Sequence, residues 1–213
     1  MVADSERARE NLARYLDHEI ADKRVVAAMK RVPREVFVPR EHCYEAYDDR
    51  PLSIGFGQTI SQPFIVALMI QALELKGHEK VLELGTGSGY EAAILAELVK
   101  EVITVEIISE LATSAKWALD KLSYSNVYIY GAGEALGWPE KAPYEAIIVS
   151  AGAPCVPQVL LDQLTWGGRL VIPVGSCWQQ ELLKITKYEE GNKVENLGGC
   201  YFVPLIGKGA WER

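Results

Sequence analysis

Val81-Leu82-Glu83-Leu84-Gly85-Thr86-Gly87-Ser88-Gly89-Tyr90 reads as a buried strand running into a glycine-rich turn, with a helical segment from Tyr90 to Lys100 behind it. Val81, Leu82 and Leu84 supply the strand, and Gly85, Gly87 and Gly89 recur at every second position. Glycines so spaced let the chain turn sharply and approach a ligand where any Cβ would collide. The helix that follows would point its first N–H groups at the bound group. The stretch therefore predicts a nucleotide-type cofactor site at the end of a strand.

A dinucleotide turn needs its third glycine at the sixth position, which is Tyr90 here; Gly89 comes one residue early. The pattern Glu83-x-Gly85-x-Gly87-x-Gly89 instead resembles the first motif of class I methyltransferases that use S-adenosylmethionine. An ordinary glycine-rich turn between strand and helix would look similar. The next apolar run, Glu101 to Glu106, adds weight because it ends in an acid about 20 residues past the turn. There a carboxylate is placed to accept from ribose hydroxyls. A solvated strand-end acid is the bland alternative for Glu106.

Working outward, strands and helices alternate from Lys80. The strands are at 80–84, 101–106, 127–130, 145–150 and 169–174, with helices over 109–122 and near 158–164. Near-continuous apolar strands between helices predict a mostly parallel sheet covered on both faces. Two extended runs, 180–188 and 194–205, flank a polar turn at 189–193 and predict an antiparallel pair on the sheet edge. Asp4 or Ser5 is placed to cap a helix reaching Ile20, and Asp22 a second reaching Lys30. Pro51 to Gly57 reads as a short hairpin, and Pro63 opens a helix with Ser61 at or near its cap. The expected fold is α/β, a Rossmann-like class I methyltransferase fold. It is read as one domain over 1–213, with a helical, substrate-side extension at 1–60 and the cofactor-binding core at 61–213.

The 213 residues are 49% hydrophobic, which fits a packed core rather than disorder. A net charge of −7 argues against a nucleic-acid surface. The charged N-terminus does not resemble a signal peptide, and no apolar run approaches a membrane span. Cys43, Cys155, Cys177 and Cys200 are scattered, as are His18, His42 and His78, so no metal site is expected. The chain is read as a cytoplasmic monomer whose cysteines stay reduced and buried. Trp117, Trp138, Trp166, Trp178 and Trp211 lack the spacing of a stacking platform and are read as packing residues.

The flanking segments carry a second resemblance. Val32-Pro33-Arg34-Glu35-Val36-Phe37-Val38-Pro39 and 51–63, ending in Gln58-Thr59-Ile60-Ser61-Gln62-Pro63, resemble the protein-L-isoaspartate O-methyltransferases. So do 142–144 through Ala153-Pro154, 167–175 and Phe202-Val203-Pro204-Leu205-Ile206-Gly207. The resemblance runs in order from about Val32 to the C-terminus, and the 58–63 block is its most specific part. It implies methyl transfer from S-adenosylmethionine, leaving S-adenosylhomocysteine, to the carboxylate of L-isoaspartyl residues in damaged proteins and peptides. Ser61 would be the active-site residue, with Thr59 beside it. Glu83, Gly85, Thr86, Gly87, Ser88, Gly89, Glu106, Ala132, Gly133 and Ala151 would hold the cofactor, and Ile60, Val203, Pro204 and Leu205 the peptide. Strand addition by Phe202 to Leu205 would read a peptide backbone; plain core packing is the alternative.

The chain departs from that family in places. Gly131-Ala132-Gly133 stands where Gly-Asp-Gly is usual, so the aspartate contact to the adenine amino group is missing. Glu91 replaces an amide just after the glycine turn, Glu145 an aspartate, and Phe64 a Tyr or His. Two other readings therefore stand beside repair: a methyltransferase for another carboxylate or a small-molecule hydroxyl, and a non-catalytic homologue. An adenine-modifying role is disfavoured because 150–154 lacks the Asn/Asp-Pro-Pro-aromatic signature.

Overall fold

The computed structural model describes Val2 to Trp211, with side chains from Ser5 onward. Two helices lead, α1 (Val2–Glu19) and α2 (Lys23–Arg31). α1 already begins at Val2, so Ser5 lies inside it and donates to Glu35 Oε1 at 3.1 Å instead of capping; the Asp4 side chain lies outside the described residues. Asp22 does cap α2, accepting from the Arg24 N–H. Val25, Val26, Ala28 and Met29 form the buried stripe of α2.

A hairpin follows, β1 (Leu52–Gly55) and β2 (Gln58–Ile60), turned by Phe56 at φ +54 between two glycines. Helix α3 (Pro63–Ala72) has proline at its first position, where a missing N–H costs nothing. Its cap residue is Gln62, not Ser61, and makes no side-chain cap bond. Asp49 supplies the cap from a distance, accepting from the Phe64 N–H at 2.8 Å and from the Gln62 amide at 2.9 Å.

The core is β3 (Lys80–Leu84), α4 (Tyr90–Ala96), β4 (Glu101–Glu106), α5 (Ser109–Lys121), β5 (Val127–Gly131), β6 (Tyr144–Val149), α6 (Gln158–Asp162), β7 (Leu164–Gly175), β8 (Gln180–Tyr188) and β9 (Gly191–Cys200). These strands form one sheet in the order β5-β4-β3-β6-β7-β8-β9, parallel through β7 and antiparallel thereafter. Successive residues alternate between its two faces. Val81, Ala146, Ile148 and Val171 pack on one side with α1 to α5; Leu82, Leu84, Ile147, Val149, Leu170 and Ile172 pack on the other with α6. Glu145, the departure from aspartate, accepts from the Lys80 N–H at 2.8 Å and ties β6 to the start of β3.

Several boundaries differ from the sequence expectation. α4 stops at Ala96 and α6 at Asp162, where Leu164 already belongs to β7. The last extended run ends at Cys200, not Leu205, and Pro204 has no N–H to continue a ladder. Residues 203–205 instead cross to Gly152, whose N–H donates to the Val203 carbonyl and whose carbonyl accepts from Leu205, both at 2.8 Å. The cysteines are free, but Cys155 and Cys177 are exposed rather than buried. The tryptophans do not all pack: Trp117, Trp166 and Trp178 are exposed, Trp178 at 85%. Trp138 stacks on Tyr130, and the Trp211 indole donates to the Gly152 carbonyl at 3.0 Å.

Candidate active site

Strand order reverses between β3 and β6, and in open α/β sheets ligands bind at the carboxyl ends of strands beside such a reversal. A cavity of about 560 Å³ opens there, a size suited to a nucleoside-type ligand. The glycine turn forms its floor. Gly85, Gly87 and Gly89 have φ of +93°, +51° and +88°, backbone that L side chains rarely adopt. The Gly85 N–H donates to the Val105 carbonyl at 2.9 Å, which ties the turn to β4. A Cβ at Gly87 would stand 3.4 Å from Ile54 Cδ1, so the hairpin leans on the turn.

Gly85, Thr86, Gly87 and Ser88 line the cavity, while Gly89 and Glu83 do not. Gly89 faces α5, where its Cβ position would be 3.1 Å from Ala115 Cβ. Glu83 is fully buried on the face of β3 beneath α4. Ala151, Ala132 and Gly133 line a second wall. Thr59 and Ile60 reach the cavity from β2, Ser61 from just beyond it, and Val203, Pro204 and Leu205 from the C-terminal crossing.

Glu106 is nearly buried at the end of β4 and also lines the cavity. Its carboxylate accepts from the Gly87 N–H at 2.8 Å and from the Ile107 and Ile108 N–H groups at 2.9 Å. A carboxylate has about four acceptor sites, so one is left for a ligand hydroxyl. The three backbone bonds fix the acid and the turn as a unit.

Ser61 is half-buried and held through its backbone: the Arg34 Nη2 donates to its carbonyl at 2.8 Å. Arg34 is fully buried, and its guanidinium lies 4.7 Å from the Tyr90 ring centre. Burial pulls its pKa down, and its Nε and Nη1 have no hydrogen-bond partner. The resemblance covers Arg34 without singling it out, because nothing in the sequence says it turns inward. Asp49, which caps α3 beside Ser61, was equally silent.

Two carboxyls meet under the turn. Glu91, in the first turn of α4, lines the cavity with only 7% exposure and accepts from the Ser150 hydroxyl. Burial pushes its pKa up to about 7, which the Ser150 bond only partly offsets. Burial and then the Glu91 charge push Glu83 well above the ordinary carboxyl range, against weaker opposition from the Thr104 hydroxyl and the Ala92 N–H.

Ala132 is exposed at the cavity mouth, its N–H on the Glu106 carbonyl at 2.9 Å. On the sequence expectation that the adenine lies beside Ala132, Ala132→Asp should tighten S-adenosylmethionine binding about tenfold, near 1.4 kcal/mol, through one charge-assisted bond to the adenine amino group. Calorimetric titration checks it. Unchanged affinity would mean that another lining residue, such as Glu134, already makes that contact.

Residues 7–210 match the family model of protein-L-isoaspartate(D-aspartate) O-methyltransferase. A protein-L-isoaspartate O-methyltransferase of Geobacter metallireducens is 53% identical over 99% of this chain and 98% of its own length. One from Syntrophobacter fumaroxidans is 54% identical over 91% of this chain and 90% of its own. Among solved structures, a protein-L-isoaspartate O-methyltransferase superposes with a TM-score of 0.86 at 27% identity, over 95% of this chain and 67% of its own. A Plasmodium falciparum chain bearing the same family name, in complex with S-adenosyl-L-homocysteine, gives 0.81 at 26% identity over 96% and 99%. With a cavity at the strand-order reversal and a match over almost the whole chain, this protein belongs to the protein-L-isoaspartate O-methyltransferase family.

Proposed function

We propose that this chain repairs damaged proteins by methylating the carboxylate of L-isoaspartyl residues with S-adenosylmethionine. The observation that carries the reading is the convergence of the glycine turn, Glu106 and the Thr59-Ile60-Ser61 segment on one cavity. S-adenosylmethionine supplies an activated methyl on a cationic sulfur. Gly85, Gly87 and the free acceptor site of Glu106 suit its nucleoside end, with Ala132 and Gly133 beside the base and Ala151 and Thr86 along the wall. Thr86 is steadied by Thr104, their hydroxyls 2.6 Å apart.

The acceptor needs no general base. A carboxyl group has a pKa near about 4, so at neutral pH it is already the nucleophile. The chain's task is to align a carboxylate oxygen with the methyl carbon and the sulfur, and to keep water out. Opposite charges cancel as the methyl moves, so a poorly hydrated site favours transfer. Ser61 and Thr59 offer hydroxyl donors to the acceptor without adding charge. Val203, Pro204 and Leu205 supply the opposite wall for the peptide. One edge of their backbone is paired with Gly152; on the other, the Phe202 N–H and carbonyl are bonded to the Gln180 side chain and Pro204 has no N–H, so these residues offer the peptide a wall rather than a ladder.

In this reading the extension before Ser61 lies on the acceptor side and the core from Ser61 onward holds the cofactor, with Ser61 and residues 203–205 of the core also facing the acceptor. We infer action as a cytoplasmic monomer, which sedimentation of the purified protein and fractionation of cells would test. Ser61→Ala should lower turnover about tenfold or more while cofactor affinity changes little, because the hydroxyl acts on the aligned acceptor. Steady-state kinetics beside calorimetry separates the two, and unchanged turnover would leave Ser61 a wall residue.

The function itself is tested by following an isoaspartyl peptide chromatographically with enzyme and S-adenosylmethionine. Methylation, spontaneous closure to a succinimide and hydrolysis should convert part of it to the aspartyl form. A peptide that stays isoaspartyl would reject repair and promote a different acceptor.

A further inference from the structure

We propose that Glu91 discriminates between the cationic cofactor and its neutral product, with Glu83 behind it governing the charge of the pair. The inference rests on the cofactor reading above. Glu91 lines the cavity with Glu106 and Glu134, and unlike Glu106 it takes its hydrogen bond from a side-chain hydroxyl and not from backbone donors. Its Oε2 takes the Ser150 hydroxyl, and its Oε1 is buried without a partner. Both oxygens of Glu83 are buried without one as well.

The groups facing this pair come from every neighbouring element. From β4, Glu106 repels Glu83 and the Thr104 hydroxyl weakly favours its charge; from α4, the Ala92 N–H does the same; Ser150, past β6, holds Glu91. Arg34, the buried cation nearby, is turned to Tyr90 and Ser61. Among the described residues no basic side chain pairs with either acid, although Lys208 also lines the cavity. Two close buried carboxyls do not both ionise, since each charge raises the other's pKa.

A bound cation is the missing counter-charge. S-adenosylmethionine and S-adenosylhomocysteine differ by one methyl and one positive charge. With the first in the cavity, the pair gives up a proton and the carboxylate faces the sulfonium. In transfer, an oxygen lone pair of the acceptor forms the new C–O bond and the C–S electron pair stays on sulfur. Carboxylate and sulfonium become neutral ester and thioether. The Glu83–Glu91 pair then faces no cation and recovers a proton from water, so the product is held without the charge interaction and leaves more readily.

The test is calorimetric titration of both ligands near pH 6 and near pH 8, in buffers of unlike ionisation enthalpy. Wild type should favour S-adenosylmethionine over the product by about fivefold more at the higher pH, with extra proton release on binding. Glu91→Gln, which mimics the neutral acid, should flatten that difference and lose the extra proton. The ligands' own amino groups titrate alike in both proteins and cancel. Glu83→Gln removes one charge and should move the pH course lower. The same course and proton count in wild type and Glu91→Gln would overturn the proposal. Failure of either ligand to bind wild type at all would instead reject the cofactor reading.

Discussion

Replacing Gly85 by valine is expected to weaken S-adenosylmethionine binding by about 100-fold or more, near 2.7 kcal/mol. Gly85 sits at φ +93°, where a β-branched residue is a strong outlier. The turn cannot relax by flipping, because the Gly85 and Thr86 N–H groups both reach the Val105 carbonyl. The protein itself has room: the nearest atoms to a Cβ there, in Ser150, are 3.6 Å away, an ordinary contact. The cost to folding is therefore mainly backbone strain, about 1–2 kcal/mol. The larger loss falls on the ligand, which the new side chain displaces from the cavity floor. Thermal unfolding and calorimetry together read both effects. A folded Gly85→Val protein that binds normally would show that the ligand does not approach the turn.

Arg34→Met should leave the protein nearly as stable while lowering kcat by about 30-fold to 100-fold. Arg34 is a fully buried cation with two nitrogens unsatisfied, and replacing such a charge by an apolar side chain of similar volume is often neutral for stability. What the substitution removes is the donor on the Ser61 carbonyl, which fixes the segment that meets the acceptor. Cofactor affinity should hold, since Arg34 touches neither the turn glycines nor Glu106. Arg34→Lys restores one donor but not the flat guanidinium over Tyr90, and partial recovery is expected. Full activity in Arg34→Met would remove Arg34 from the account.

The cofactor half was legible in the sequence because its constraints are local. Positive φ at Gly85, Gly87 and Gly89 demands glycine, and an acid at Glu106 follows from the rise of a strand and a helix between it and the turn. The sheet was equally legible through its apolar strands. What stayed hidden depends on contacts between distant residues. Glu83 belongs to the glycine motif, yet its side chain lies under α4, outside the cavity, because strand alternation sends it to the face opposite Leu84. Ser61 looked like a cap for α3, but Asp49 reaches across 15 residues to do that. Arg34 shows no pattern that would mark an arginine as buried. The end of β9 was misread because Pro204 was set beside extended residues, although its missing N–H breaks a ladder.

Selective methylation of an isoaspartyl carboxylate is tested by label transfer to two matched peptides. One carries L-isoaspartate and the other normal aspartate at the same position, each with methyl-labelled S-adenosylmethionine and the intact protein. Label is expected on the isoaspartyl peptide alone, released as methanol on brief exposure to base, as an ester requires. Equal labelling of both peptides, or label that survives base, would rule out selective isoaspartyl methylation.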